Sequence, residues 1–468
     1  MNRSEELQPS ADSGSPVYVF LVCIVAALGG LLFGYDTAVI SGAIGFLQKF
    51  YNLDPQWWTG WAAACTLLGC ALGVAVAGIL SDRLGRKKVL IISAVLFLVS
   101  AIGTAIPRNL AEFIIYRIVG GIGVGAASIT SPMYIAEISP ARIRGRMVSI
   151  NQFAIIAGML VVYFVNYFTA SWNTEVWNTK FGWRWMFGSE VLPAFIFLVF
   201  LFFVPESPRW LIKQRLIDRA SVILACVGGK TYAQEELASI QDAVSQESGS
   251  LAQLFQPGMK IVLIIGVVLA VLQQVTGINV FLYFAPEIFK SMGAATSAAL
   301  LETVLVGAVN LGFTIVAIWM VDRLGRKPLM IIGSGGMGIS LFAMGLAAFY
   351  QKTEVWLLMF VLSYIACFAL AVGPVTWVIL SEIFPTRIRG RAMAVAAFCL
   401  WLANYVVTQT FTVMDKDPYL VGKFHHAFPF WVYGILCAVE VFFVWLLIPE
   451  TKGKTLEQIE KHWLEAHR

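Results

Sequence analysis

The sequence predicts an all-α membrane protein: twelve transmembrane helices in two six-helix halves, with short helices at the membrane surface between them. Three observations carry this. Apolar residues make up 59% of the 468-residue chain and charged residues only 13%, too few polar side chains to cover a water-soluble globule of this size. Twelve apolar runs approach or exceed the length of about 20 residues that crosses a bilayer. The hexapeptide Asp82-Arg83-Leu84-Gly85-Arg86-Lys87 recurs at Asp322-Arg323-Leu324-Gly325-Arg326-Lys327, an offset of 240 residues. Two further pairs keep nearly that spacing: Glu137 through Arg146 matches Glu382 through Arg391 at 245, and Pro205-Glu206 matches Pro449-Glu450 at 244. Three collinear pairs mark a duplicated chain.

Residues 1–16 are polar, carry Glu5, Glu6 and Asp12, and have no basic segment ahead of the first apolar run. They read as a short cytoplasmic tail and not a cleaved signal. The N-terminal half occupies 17–204, with apolar runs at 17–46, 57–81, 88–106, 110–137, 147–169 and 184–204. A polar linker, 205–257, contains amphipathic patterns such as 233–244 and is expected to form small cytoplasmic helices. The C-terminal half, 258–448, has runs at 259–290, 296–321, 328–350, 354–383, 391–414 and 427–448. In 449–468, Leu456, Ile459 and Trp463 follow Thr455, a suitable N-cap, and predict a cytoplasmic C-terminal helix.

Charge sets the orientation. Connections after even-numbered runs, with both tails, hold 24 of the 33 lysines and arginines; odd-numbered connections hold eight, and Arg117 alone lies inside a run. Cytoplasmic loops carry the basic excess, so both termini are expected in the cytoplasm. These loops also explain the net charge of +5 without a nucleic-acid partner. The seven cysteines are odd in number and mostly sit in apolar runs as packing residues. The four histidines lack ligand spacing, so neither a metal nor a cofactor is expected.

Two runs are interrupted. Gly277 follows Thr276 in the seventh, and Gly373-Pro374 breaks the tenth. Proline removes a backbone donor and glycine opens unusual dihedrals. Irregular backbone at membrane depth is tolerated only against protein or a water-filled cavity. Both breaks point to a central cavity, and both lie in the second half.

Together with Arg117-x-x-Gly120-Gly121-x-Gly123-x-Gly125, Pro205-Glu206-Ser207-Pro208-Arg209 and Pro449-Glu450-Thr451-Lys452-Gly453, the doubled loop forms an ordered set. The set resembles the sugar porters of the major facilitator superfamily over about 17–465, and their proton-coupled bacterial members more than the animal glucose facilitators. The resemblance implies the major facilitator fold, a monomer in the lipid bilayer of a bacterial inner membrane, and no enzymatic chemistry. It implies a proton-coupled symporter that imports a monosaccharide, an aldose such as D-xylose or D-glucose, by alternating access. A facilitator without proton coupling is the alternative. A transporter-like sugar sensor is a further one, for which the short tails leave little room for a signalling appendage.

Asp36 lies well inside the first run. A carboxylate there costs roughly 2.5–3.5 kcal/mol on insertion scales, which favours a proton-binding group over a capped polar residue near a membrane end. Its natural partner is Arg117, on a run thinned by glycines that let backbones approach. Burial and a neighbouring guanidinium act on a carboxyl in opposite senses, so a conformational change that alters either one can load or release the proton. The resemblance implies the same role, since proton-coupled members carry an aspartate here and animal facilitators a neutral residue.

A sugar site needs amides and hydroxyls that donate and accept, plus aromatic faces against the C–H faces of the ring. Gln273, Gln274, Asn279 and Tyr283 supply these around Gly277, and Asn279 and Tyr283, four apart, share a helix face. Asn310 in the eighth run, Gly373 and Trp377 in the tenth, and Trp401 in the eleventh join them, with Gln152 and Phe33 from the first half. The resemblance implies that sugar hydroxyls bind at these positions. Met159 and Leu400 stand where the proton-coupled pattern has glutamines. An apolar wall discriminates weakly where an amide would discriminate strongly, so a hexose is accommodated and xylose is not excluded.

Asp82, Arg86, Glu137, Arg144, Arg146, Glu206 and Arg209 in one half correspond to Asp322, Arg326, Glu382, Arg389, Arg391 and Glu450 in the other. Positive-inside retention accounts for the arginines but not for the acids beside them. These charges are expected to form a salt-bridge network that latches the cytoplasmic gate in the outward-open state and breaks on inward opening. Glu190 in the sixth run and Glu440 in the twelfth either tune coupling or pair across helices.

Overall fold

The computed structural model describes residues 14–245, 259–291, 293–351, 354–384 and 389–452. Among them, twelve helical stretches are long and apolar enough to cross a bilayer. They are Pro16–Tyr51, Trp58–Leu84, Arg86–Ala105, Leu110–Ile138, Arg144–Ser171 and Glu175–Leu201, then Met259–Ser291, Thr296–Val321, Arg326–Phe349, Trp356–Ile383, Gly390–Lys416 and Phe428–Leu447. Helices Pro208–Lys213, Ile217–Gly228 and Lys230–Ser245 lie between the halves. The helix expected from Thr455 falls outside the described residues, as does most of the 1–16 tail. With six spans per half, the linker and both described ends lie on one face, the terminal face.

Close backbone approach sets the helix pairs that position the interior. The second and fourth spans interlock through Gly69, Gly73, Gly121 and Gly125. A Cβ at Gly121 would lie 2.0 Å from Thr66 O and one at Gly125 2.1 Å from Cys70 O, while Gly69 and Gly73 press on Ile118 and Ile122 in return. Small residues at this spacing replace the hydrophobic driving force that is missing between helices in lipid. The first and fifth spans approach in the same way, with Gly34 against Ile155 and Gly158 against Leu31.

The doubled hexapeptide turns one span into the next through a single glycine, Gly85 at φ +99° and Gly325 at φ +92°. In each copy the acid of the later Pro-Glu pair caps the start of the following helix: Glu206 accepts from the backbone N–H groups of Arg86 and Lys87, and Glu450 from those of Arg326 and Lys327. A carboxylate at a helix N-terminus meets unsatisfied N–H groups and the positive end of the dipole. The lysines reach the other way, Lys87 Nζ to Phe202 O at 3.0 Å and Lys327 Nζ to Trp445 O at 2.7 Å.

Three spans are irregular. The seventh breaks at Thr276–Gly277, with Gly277 at φ +92°, as its sequence predicts. The tenth does not break at Gly373-Pro374. It widens into a π-helical turn at Phe368–Val372 and continues as Gly373–Ile383, because proline is tolerated near the first turn of a helix. Nor are irregularities confined to the second half. The sixth span carries a π turn at Asn178–Gly182 and a tightened turn at Ser189–Glu190, where Glu190 N–H donates to Phe187 O three residues back.

Candidate functional site

Two polar clusters lie in the apolar interior. In the first, Asp36 and Arg117 are both fully buried, and Arg117 Nη1 donates to Asp36 Oδ1 at 2.9 Å and to Asp36 O at 3.1 Å. Thr66 Oγ1 lies 3.5 Å from Asp36 Oδ2. The guanidinium also stacks over Phe187, 5.4 Å from its centroid. Glu190, equally buried, lies within electrostatic range of Asp36 and Arg117. The hydrogen bond between Tyr35 and Ser189, 2.7 Å, ties the Ser189–Glu190 turn to the first span. Arg117 Nε and Nη2 have no partner among the described residues.

In the second cluster the backbone break organises a chain of amides. Gln273 Nε2 donates to Val372 O and Gly373 O, both at 3.1 Å, which ties the seventh span to the π turn of the tenth. Gln274 Nε2 donates to Gln273 Oε1 at 3.3 Å, and Asn279 Nδ2 donates to Gln274 Oε1. Asn404 Nδ2 donates to Tyr283 OH at 3.5 Å, and Asn404 Oδ1 accepts from Thr408 Oγ1 at 3.1 Å. Phe33 and Trp401, one from each half, face each other at 5.5 Å between centroids. Asn310 is buried with its Oδ1 unpartnered among the described residues. Gln152 and Trp377 are half-buried, and Met159 and Leu400 are buried. Tyr283 lies within electrostatic range of Asp36 and Arg117, so the two clusters are neighbours.

The halves meet on the face away from the termini. Gln56 Nε2 donates to Lys416 O at 3.1 Å, Gln409 Nε2 to Trp57 O at 3.0 Å, and Thr412 Oγ1 to Gln56 O at 2.7 Å. Deeper, Tyr163 OH donates to Leu282 O at 2.9 Å. These bonds close that face in the present conformation.

Among the described residues, the ion pairs around Arg86 and around Arg326 do not join the halves. Arg86 pairs with Glu137 at 2.9 Å and Asp82 at 3.4 Å, while Ser207 donates to Glu137. Arg326 pairs with Glu382 at 3.0 Å, and Thr451 donates to Glu382. Each set lies within its own half, stapling helix ends together. Arg144 approaches Glu236 of the linker at 3.9 Å, Arg146 and Arg391 are exposed, and Arg209 is half-buried. The side chains of Asp322 and Arg389 lie outside what is described. Burial pushes the Glu206 carboxyl above its ordinary value against its backbone donors. Burial acts on Glu450 in the same sense, but the N–H groups of Lys452, Arg326, Lys327 and Thr451 outweigh it and hold that carboxyl below its ordinary value.

A family model described as "Sugar (and other) transporter" matches residues 22–463. The chain belongs to this sugar transporter family. Among curated relatives, the D-xylose-proton symporter of Escherichia coli (strain K12) is 48% identical, covering 95% of this chain and 96% of the relative. The arabinose-proton symporter of Bacillus subtilis is 40% identical, covering 99% and 100%. A solved structure of the proton:xylose symporter XylE bound to 6-bromo-6-deoxy-D-glucose superposes with a TM-score of 0.83 at 47% identity, covering 96% of this chain and 99% of that one. Viewed as a sugar transporter, the chain carries two interior groups that the sequence left unassigned, Thr66 beside Asp36 and Asn404 against Tyr283, while Glu190, read from the sequence as tuning coupling or pairing across helices, lies in electrostatic range of Asp36. Asn404 had a usable signal, an amide three residues after Trp401 in an apolar run. Thr66 had none, since threonine is ordinary in such helices.

Proposed function

We propose that this protein is a proton-coupled symporter that imports a monosaccharide by alternating access between its two halves. The observation that carries the reading is the buried Asp36–Arg117 pair with Glu190 at its side, next to the amide chain from Gln273 to Asn279. Asp36 is the proton site. In one state its charge is held by Arg117; in the other it is protonated and releases the guanidinium, with Glu190 sharing the proton. Tyr283, one of the sugar-site residues, lies within electrostatic range of Asp36 and Arg117, so proton and sugar act on neighbouring regions of the interior.

The sugar sits among Gln152, Gln273, Gln274, Asn279, Tyr283, Asn310 and the aromatic pair Phe33–Trp401, with Trp377 and the Gly373 backbone at its edge. Buried Met159 and Leu400 form an apolar wall that suits the hydroxymethyl group of a hexose. The similarity to a D-xylose and to an arabinose symporter supports aldoses of both lengths. The terminal face is cytoplasmic, in a bacterial inner membrane, and the monomer in its bilayer is the working unit. The present conformation, closed on the far face, is the one from which sugar leaves to the cytoplasm.

Purified protein in proteoliposomes tests this with xylose, arabinose, glucose and galactose, with and without an imposed proton gradient. Sugar-induced proton uptake and gradient-driven accumulation of at least one of these sugars are expected. Equilibration without proton movement would replace the reading with a facilitator, and no movement of any sugar would overturn it.

A further inference from the structure

We propose that Glu440, in the twelfth span, is a second proton-binding carboxyl, housed in the C-terminal half and linked to the Thr276–Gly277 break of the seventh span. Its side chain is fully buried. Glu440 Oε2 accepts from Ser334 Oγ of the ninth span at 3.0 Å. Oε1 is buried with no partner among the described residues. Seven residues separate Glu440 from the end of its helix at Leu447, which at about 1.5 Å per residue puts the carboxyl about 10 Å inside the span.

Among the described residues, no cation is available at that depth. The spans packed on the twelfth are the ninth, the seventh and the eleventh, with the short helix Pro418–Phe424 beyond its start. Their charged residues stand at helix ends: Arg326 and Lys327, Lys260, Arg389 and Arg391, Asp415 and Lys416, and Lys423. Among the described residues, the titratable groups within electrostatic range of Glu440 are Tyr364 and Cys437, neither of them a cation. This is the contrast with Asp36, which has Arg117. An isolated carboxylate in such surroundings is strongly disfavoured, and the group neutralises instead. These surroundings favour the neutral carboxylic acid over the carboxylate.

The break of the seventh span makes the site more than a static hydrogen bond. Tyr364 OH donates to Thr276 O at 3.0 Å, and its ring packs on Phe281 just beyond the break at 4.7 Å. Tyr433, two turns before Glu440 on the same helix, lies so close to Gly277 that a Cβ there would come within 2.7 Å of its ring. Any flexing at Gly277 moves these two rings, and with them the wall beside Glu440. Movement that lets water reach Oε1 allows the acid to give its proton to that water; reversal takes one back. The chemistry stands without the transport reading, which supplies only its consequence, a second proton that follows the sugar-binding helix break.

Infrared difference spectroscopy on the full chain in lipid bilayers tests this, with pH steps and with xylose as the added sugar. Asp36→Asn/Glu190→Gln is the background, so that neither carboxyl of the first cluster masks the second. A change in the protonated-carboxyl C=O band is expected in that background, its loss when Glu440→Gln is added, and a shift to higher frequency when Ser334→Ala is added, where the carbonyl loses its donor. Should the Glu440→Gln variant fail to fold, the Ser334→Ala shift carries the test. The proposal is overturned if the band survives Glu440→Gln, ignores Ser334→Ala, or stays constant across the pH steps. The pH arm needs no sugar, so failure here is separate from failure of sugar accumulation in the unmodified protein.

Discussion

Replacing Asp36 by asparagine removes a charge while keeping an oxygen that can accept from Arg117 Nη1, now 2.9 Å away. A buried guanidinium without a counter-ion costs about 3–5 kcal/mol, and Arg117 is fully buried with two nitrogens already unpartnered. Glu190 is close enough to become the counter-ion instead. The single variant is therefore expected to lose only about 1.5 kcal/mol, the lower end of a charge-assisted hydrogen bond, and Asp36→Asn/Glu190→Gln the full ~3–5 kcal/mol. Thermal unfolding of the purified variants reads this order. Transport reads the consequence. One proton moved across about 100 mV supplies about 2.3 kcal/mol, enough for about 50-fold accumulation at about 1.4 kcal/mol per tenfold. Asp36→Asn should bring sugar only to equal concentrations while still exchanging it. Accumulation by Asp36→Asn, or a double variant no less stable than the single one, would refute the reasoning.

Four other outcomes are expected. Gly277→Ala places a Cβ at φ +92° and 2.7 Å from the Tyr433 ring; a loss of about 1–2 kcal/mol or more should appear in thermal unfolding, and an unchanged melting point would contradict the break geometry. Tyr163→Phe removes one hydrogen bond between the halves, about 0.5–1.5 kcal/mol, so spin-label distances across the closed face should show its closed fraction reduced about 2- to 12-fold relative to open. Trp401→Ala strips the aromatic partner of Phe33 and should weaken sugar binding about 2- to 12-fold in calorimetry, from about 0.5–1.5 kcal/mol of ring contact. Glu450, whose carboxyl is held below its ordinary value, stabilises the fold above the unfolded value of about 4.3, and this contribution is lost as pH falls through the folded value. Glu450→Gln should thus cost stability at neutral pH and little under strong acid. Glu206 has the opposite sign: its raised carboxyl costs stability once ionised, and acid relieves that cost.

The charged motifs show how far one-dimensional reasoning reaches. That Glu137, Glu206, Glu382 and Glu450 stand among arginines for a reason was legible from their repetition. That they cap and staple helices within each half was not, because pairing depends on where helix ends fall in space. The break at Thr276–Gly277 was legible because glycine at positive φ leaves a local trace. The tightened turn at Ser189–Glu190 left none, since it is tied to Tyr35, 154 residues earlier. The π turn at Phe368–Val372 shows the same limit, as Gly373-Pro374 marked the place correctly and the form wrongly.

The sequence by itself determined the twelve spans, the duplication, and the candidates Asp36, Arg117 and the Gln273–Tyr283 segment. Apolar run length, repeated motifs and the cost of a charge at membrane depth are properties of a chain read in order. Tertiary structure alone decided that Asp36 and Arg117, 81 residues apart, meet at 2.9 Å, that Glu190 joins them, and that Glu440 stands without a cation among the described residues. Those outcomes depend on which helices glycine lets approach and on how far each span is displaced along its neighbour, quantities that packing sets and no local pattern records.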